Sequence, residues 1–424
     1  MQRTECALLV IMGSGETSPT MVSVHRAVVD QLPSDRPNAV LLETPYGFQE
    51  NVADISARAQ HYFHDSVGLR VSVAPGMRGR APAGSDADRG LAMVRTADWL
   101  FSGPGSPSYA LDQWHRQPVA AALAERVRRP RGATVFASAA AATMGYLAVP
   151  VYEIYKVGAA PHWREGLDLL AGLDLKVVVI PHYNNTEGGT HDTRYSYLGE
   201  RRLTVLEQDL SDDAAILGVD EHTAVVLDLL SGDVEITGRG GMTVRRAGRS
   251  HVLPAGATLT LTELRALTRG DLRAPTATSR VPVQPSRAAQ PLPLPDVTLD
   301  CERRFEVARL AGAADDMVAV ILDLEETIRV WAADTDEDEG TTQARAVLRS
   351  LIVRLGHAAA VGLRDPHELL RPLVEPLLRV RDQLRAEQAY QAADGIRAAL
   401  TAAGLVVNDT EAGTGWEVAA SAEG

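Results

Sequence analysis

The sequence predicts an α/β fold for residues 1–262, a mostly parallel sheet sandwiched by helices. A proline-containing linker is expected at 263–299 and an all-α helical bundle at 300–424. Three observations predict this order. Short apolar runs alternate with amphipathic segments through the first part of the chain, the pattern of a sheet covered on both faces. The stretch Pro275–Pro295 is rich in Pro, Arg and small polar residues and has no hydrophobic period, as in a semi-rigid connector. After it, Arg304–Ala332, Thr342–Val361, Pro366–Ala389 and Gln391–Ala403 carry helical periodicity.

Taken in order, Cys6–Met12, Ala39–Glu43, Leu69–Val73, Trp99–Ser102, Ala133–Ala137 and Lys176–Pro181 read as short buried strands, with helices such as Met21–Gln31 and Pro118–Arg128 between them. Ala224–Leu229, Val234–Thr237 and Gly241–Arg246 read as a closing antiparallel set with Gly-containing turns. The N-terminal segment reads as a first strand ending in Gly13-Ser14-Gly15-Glu16 rather than as a signal peptide. That glycine loop lacks the full dinucleotide fingerprint and is expected to be a tight turn beside the site. The acidic run Asp334–Glu339 reads as a solvated interhelix loop.

Composition narrows the function classes. The chain has 424 residues, 45% of them hydrophobic, enough for more than one core. A formal net charge of −13 disfavours non-specific binding to nucleic acid or to a membrane surface. No apolar run approaches the roughly 20 residues that span a bilayer. Only two cysteines occur, Cys6 and Cys301. They cannot supply a disulfide framework or a Cys-rich metal site, which fits a cytoplasmic location.

The chemistry is concentrated at one serine. In Gly132-Ala-Thr-Val-Phe-Ala-Ser138-Ala-Ala-Ala-Ala-Thr-Met-Gly145 an apolar run ends at Ser138 and a run of small, helix-favouring residues follows. That is the shape of a strand–turn–helix elbow, although serine is also a common helix N-cap. A serine nucleophile needs a base, an orienting acid and oxyanion donors. His182 follows the buried run Val177–Pro181, and Asp220 and Glu221 stand at the entrance to another strand. Either acid could orient the histidine. The Gly-rich loop Gly103-Pro104-Gly105-Ser106 could present a backbone N–H to an oxyanion. His182 with His191-Asp192 matches no strong metal-ligand spacing, so neither a metal nor a cofactor is expected.

Together these segments resemble the cyanophycinase and dipeptidase E group of serine peptidases, which have a class I glutamine amidotransferase-like fold. Phe136-Ala-Ser138-Ala-Ala140 stands where that group has Gly-Thr-Ser-Ala-Gly. His182-Tyr183 is similar to its His-Phe, Gly218-Val-Asp220-Glu221-His-Thr223-Ala224 to its Gly-Ile-Asp-Glu-x-Thr-Ala, and Phe101-Ser-Gly103-Pro-Gly105 to its glycine loop. The resemblance covers about the first 260 residues and implies Ser138 as nucleophile, His182 as general base, Glu221 as orienting acid, and the N–H groups of Ala139 and Gly105 as oxyanion donors. It implies hydrolysis of a small amide or peptide through an acyl-enzyme, with aspartyl or isoaspartyl peptides as the substrate class. Three departures stand out. Ala137 and Ala140 replace the elbow glycines, and Pro104, which has no N–H, replaces a middle glycine. The polar stretch Asn184–Asp192 is expected to form a mobile flap. A site that binds without cleaving is the alternative.

The C-terminal segment is distinctive in another way. Ala393-Asp394-Gly395-Ile396-Arg397, Gly404-Leu405 and Asp409-Thr410-Glu-Ala-Gly413-Thr414-Gly-Trp416 resemble the extreme C-terminus of cysteinyl-tRNA synthetases. The resemblance implies a helical module of the anticodon-binding kind and contact with tRNA or a translation enzyme through 300–424. The synthetase's catalytic motifs are absent from the sequence, so no ligase activity is expected. Residues 301–424 hold 13 Arg against 22 Asp and Glu, a balance of −9, whereas a nucleic-acid footprint should be basic. Helical packing or a homodimer contact is therefore an equal expectation for this module.

Overall fold

Apolar runs that are buried on both faces make the centre of the N-terminal sheet. In the computed structural model, which describes residues 6–78, 85–128, 131–186, 191–271, 292–331, 339–361, 366–410 and 413–418, the run Ala7–Met12 is buried along its whole length. Its side chains alternate. Leu9 and Ile11 join one core, whereas Leu8, Val10 and Met12 join another, as the two-residue period of a strand requires.

In order along the chain, β1 (Ala7–Met12), α1 (Val22–Val29), β2 (Ala39–Leu41), α2 (Val52–Tyr62), β3 (Val71–Val73), α3 (Ser85–Thr96), β4 (Trp99–Ser102), α4 (Pro107–His115), α5 (Val119–Arg128), β5 (Gly132–Ala137) and α6 (Ser138–Ala142) form the first half of the α/β part. It continues with β6 (Leu147–Ala148), α7 (Val151–Tyr155), β7 (Arg164–Glu165), β8 (Val177–Ile180), α8 (Gly199–Gln208), β9 (Ala215–Val219), β10 (Thr223–Asp228), β11 (Asp233–Gly238), β12 (Gly241–Arg246), β13 (Arg249–Pro254), β14 (Thr258–Thr260) and α9 (Leu261–Arg269).

The main sheet has the order β14-β11-β10-β1-β5-β4-β2-β3. From β1 to β3 every pairing is parallel, and β10, β11 and β14 extend it antiparallel. The expected sheet is present, with two amendments. The strand expected at Lys176–Pro181 is β8, and it lies in a second sheet of order β13-β12-β9-β8. The main sheet has no place for it beside β1, which is flanked by β5 and β10. The strand at Gly241–Arg246 also leaves the antiparallel set and pairs with β9 and β13.

Strand register gathers the candidate residues at one end. Met12 pairs with Ala137 and Ser102 with Phe136, so Gly13, Gly103 and Ser138 all follow the last pairs of parallel strands. In the second sheet Ile180 pairs with Gly218, which sets His182 and Asp220 at equivalent steps beyond β8 and β9. The carboxyl ends of the parallel strands are where open α/β sheets collect ligand groups.

Residues 263–269, expected in the linker, are instead the body of α9. Its capping box is complete: the Glu263 N–H donates to Thr260 Oγ1 at 3.2 Å, and the Thr260 N–H donates to Glu263 Oε2 at 2.7 Å. Leu264 and Leu267 are buried in the same core as β12 and β14. Residues 294–299, also expected in the linker, are helical, while 272–291 of that linker, the run 334–338 and part of the expected flap, 187–190, lie outside the described residues.

The chain divides into two compact units, Met1–Val297 with Glu326–Ala344, and Thr298–Glu325 with Arg345–Gly424. The C-terminal helices are α10 (Leu294–Leu310), α11 (Ala314–Trp331), α12 (Glu339–Val361), α13 (Pro366–Ala386) and α14 (Tyr390–Ala402). The bundle is expected to be all helical, but its last described residues form a hairpin of β15 (Leu405–Thr410) and β16 (Gly413–Val418). Val374, Leu378, Leu400, Leu405, Val407 and Trp416 make its core. One helical turn past Leu378, the Arg381 side chain is fully buried and grips Asp409 through two hydrogen bonds of 2.9 and 2.8 Å. Among the described residues no helix is long and apolar enough to cross a membrane.

Candidate active site

Ser138 is the first residue of α6, directly after β5. Its φ is 46°, in the left-handed region, where a non-glycine residue sits only under strain. Ala137 before it is extended, with φ −126° and ψ 155°. The chain thus turns sharply from strand to helix at the serine. The N-cap position belongs to Ala137, and the Ser138 hydroxyl bonds elsewhere. The two alanines that stand at glycine positions, Ala137 and Ala140, are not in the left-handed region; the serine itself is. Every residue of α6 is buried, so the run of alanines lets the short helix pack without displacing its neighbours.

Ser138, His182 and Glu221 form one hydrogen-bonded chain. Ser138 Oγ lies 2.9 Å from His182 Nε2, and His182 Nδ1 lies 3.0 Å from Glu221 Oε1. A carboxylate only accepts, so Nδ1 carries the proton and Nε2 is left to accept from the serine hydroxyl. Ser138 is 6% exposed, and the side chains of His182 and Glu221 are 16% and 23% exposed. The alternative acid faces away: Asp220 Oδ2 accepts from the Gly241 N–H at 2.8 Å.

Glu221 is held at both ends by a pair of asparagines. Asn185 Nδ2 donates to Glu221 Oε1 at 3.0 Å, and the Glu221 N–H donates to Asn184 Oδ1 at 2.8 Å. Burial alone would raise the Glu221 carboxyl, but hydrogen bonds from His182 and Asn185, with the charge of His182, outweigh it and the net shift is downward. Its contribution to the native state is therefore present above the unfolded-chain value and is lost as pH falls through the lowered one. Asp220 shifts the other way because burial dominates.

The candidate oxyanion groups stand on neighbouring strands. Gly105 follows β4 with a φ of 130°, and a Cβ there would lie 2.2 Å from the Pro45 carbonyl oxygen, so only glycine fits. The Ala140 N–H donates to Gly103 O at 3.1 Å and ties this loop to α6. Ala139, one residue further into α6 than Ser138, has one of the amides that a helix start leaves without an intrahelical acceptor. The Gly13–Glu16 loop abuts the acid segment: a Cβ on Gly13 would lie 2.0 Å from Asp220 O, and one on Gly15, with φ 64°, 2.2 Å from His222 Nδ1. His191 stacks on Tyr155, with ring centroids 6.4 Å apart.

Asn184 and Asn185 were legible only as part of a polar flap. Asn185 is fully buried, and nothing in the run Tyr183-Asn184-Asn185-Thr186 distinguishes a buried amide from an exposed one. Asn185→Leu keeps the volume and removes one donor to Glu221. The expected result is a rate at Ser138 about tenfold lower, from the roughly 1.5 kcal/mol of a hydrogen bond to a charged group. The acid limb of the pH–rate profile should move to higher pH. An unchanged limb would separate Asn185 from the ionisation of Glu221.

No family model matches the chain. Among curated proteins, it is 31% identical over 117 residues to a cysteine–tRNA ligase of Thermosipho melanesiensis, covering 26% of this chain and 25% of the ligase. It is 33% identical over 121 residues to that of Leifsonia xyli subsp. xyli, with 26% and 25% covered. The likeness partly covers the C-terminal region, and the chain spans about a quarter of the length of the curated relatives it matches. A solved structure described as a peptidase from an acI-B1 actinobacterium is 19% identical, covers 61% of this chain and 98% of its own, and superposes with a TM-score of 0.49.

Proposed function

We propose that the α/β unit is a serine hydrolase that cleaves a small amide or peptide through an acyl-enzyme. The observation that carries this reading is the Ser138–His182–Glu221 chain at 2.9 and 3.0 Å, built on a serine with φ 46° at a strand–helix turn. Ser138 Oγ attacks the carbonyl carbon while its proton passes to His182 Nε2. Glu221 holds the ring and stabilises the imidazolium. The oxyanion is met by the N–H groups of Ala139 and Gly105. The imidazolium then gives its proton to the leaving nitrogen, and the C–N bond breaks to leave an ester on Ser138. Water attacks that ester with His182 again as base, which releases the acid and restores the serine. No metal or cofactor takes part in this scheme. Aspartyl or isoaspartyl peptides are the substrate class proposed, from the motif resemblance.

The test is covalent labelling with a fluorophosphonate, followed by mass spectrometry of the labelled peptide. A single adduct on Ser138 is the expected result. A folded protein that takes no label, or takes it elsewhere, overturns the reading.

A second reading, a binding protein that engages tRNA or a translation enzyme through its helical module, is favoured by the identity to cysteine–tRNA ligases. The acidic balance of residues 301–424 weighs against direct contact with tRNA. Free thiols at Cys6 and Cys301 fit a cytoplasmic location.

A further inference from the structure

Among the described residues, ten that are not glycine have a left-handed φ, and six of them stand at the candidate site or in the loop packed on it: Ser138, His182, Tyr195, Ser196, Tyr197 and His222. Three of the six are consecutive. Tyr195, Ser196 and Tyr197 have φ values of 63°, 53° and 62°, a left-handed turn built without glycine. Each such residue is strained, and the conformation persists only where its surroundings enforce it.

The turn is directed at one target. The Ser196 hydroxyl donates to Pro181 O at 2.7 Å, the Ser196 N–H to His182 O at 3.2 Å, and the Tyr195 N–H to Tyr183 O at 3.1 Å. Two adjacent residues thus hold three successive carbonyls, with that of His182 in the middle. Ser196 is 2% exposed, so solvent does not compete for these bonds. The turn is braced from outside: Asp192 accepts from the Arg194 guanidinium and, at 2.9 Å, from the Glu200 N–H, while Tyr195 Oη donates to Glu200 at 2.9 Å.

We infer that the left-handed turn Tyr195–Ser196–Tyr197 is a latch that fixes the backbone of His182, itself at φ 46°, and that Ser196 is a positioning residue for the Ser138–His182–Glu221 chain. The inference rests on the proposed hydrolase reading only for its effect on rate; the geometry it explains is independent of that reading. The hydroxyl-to-Pro181 bond is the part that a single substitution removes cleanly.

The experiment compares the full-length protein with Ser196→Ala and Ser196→Gly. Glycine removes the hydroxyl and also relieves the left-handed strain, so this variant should unfold at a temperature no lower than that of Ser196→Ala. Two readouts are taken. One is the fluorophosphonate inactivation rate, separated into probe binding and the chemical step. The other is the downfield proton resonance of His182 Nδ1–H bonded to Glu221, assigned by its absence in His182→Ala. Loss of the hydroxyl should slow the chemical step roughly 10- to 100-fold with little change in probe binding, and the resonance should broaden or vanish in both variants. A folded Ser196→Gly variant with wild-type labelling and an unaltered resonance overturns the latch. If wild type takes no label but its resonance is lost in Ser196→Gly, the hydrolase reading fails and the latch stands.

Discussion

Replacing Ser138 or His182 by alanine is expected to lower turnover by about a million-fold, and the two changes together should cost little more than either alone. In the proposed hydrolase the three side chains act as one unit, so losing either the nucleophile or the base disables the rest. With Ser138→Ala the bond-forming oxygen is gone. With His182→Ala the oxygen remains, but the atom 2.9 Å away that would take its proton is missing. Glu221→Gln should be milder, on the order of 10⁴-fold, because the ring keeps a neighbour but loses the charge that favours its protonated form. Stability runs the other way at the nucleophile. Ser138 is held at φ 46°, so Ser138→Gly should raise the unfolding temperature while abolishing activity, the signature of strain kept for function. Turnover of a reactive ester and thermal unfolding of each variant check both statements. Full activity in Ser138→Ala would show that another residue is the nucleophile.

In the C-terminal unit the largest effect is expected at Asp409. The carboxylate accepts from Arg381, Arg385 and Thr414 and faces Arg397, and its pKa is held down at about 2, chiefly by hydrogen bonding to Arg381. Arg381 is the vulnerable partner because its side chain is fully buried. Asp409→Asn would leave the buried guanidinium with only the longer ion pair to Asp382 at 3.5 Å, at a cost of about 3 kcal/mol, the lower end for a broken buried pair because that contact remains and Asp409 itself is partly open to solvent. Arg381→Met, which removes the buried charge as well, should cost less than Asp409→Asn. Urea unfolding followed by helical circular dichroism reads the difference. The pair's contribution is complete above the unfolded aspartate value and should fade only as pH falls toward 2. Equal destabilisation by the two variants would mean that packing, not charge, sets the cost.

These two regions also show what the sequence makes legible. The elbow is readable because an apolar strand ends at a lone serine followed by small residues, the base because it follows a buried run, and the acids because they stand at the entrance to another strand. The residues alone leave Asp220 and Glu221 open, and Glu221 comes only from the motif resemblance, since the choice depends on which carboxylate turns toward His182 once β9 gives way to β10. The Asp-Thr-x-x-Gly-Thr-x-Trp run was conspicuous, yet its physical content, an aspartate on a hairpin gripping a buried arginine on α13, needed long-range pairing to become visible. The end of the α/β part is legible as well: Thr260-Leu-Thr-Glu263 is a capping-box signature that announces α9 inside the span expected to be linker. The left-handed turn at Tyr195–Tyr197 leaves no trace in composition, because it contains none of the glycine or asparagine that ordinarily marks such backbone.

The division of the strands between two sheets has a consequence for how such a site responds to distant change. Ser138, the proposed nucleophile, follows β5 of the main sheet, and His182, the proposed base, follows β8 of the second. The acid segment Asp220–His222 is one of the short covalent crossings between the two sheets, running from β9 to β10. A slide of one sheet past the other would alter the gap between Ser138 Oγ and His182 Nε2, resisted by the His182 N–H that donates to Gly13 O at the end of β1. Reaction rate thus becomes a gauge of how the two layers are aligned. Substitutions in the packing between them, at Met242 or Val244 for instance, can be heard at the serine without touching it.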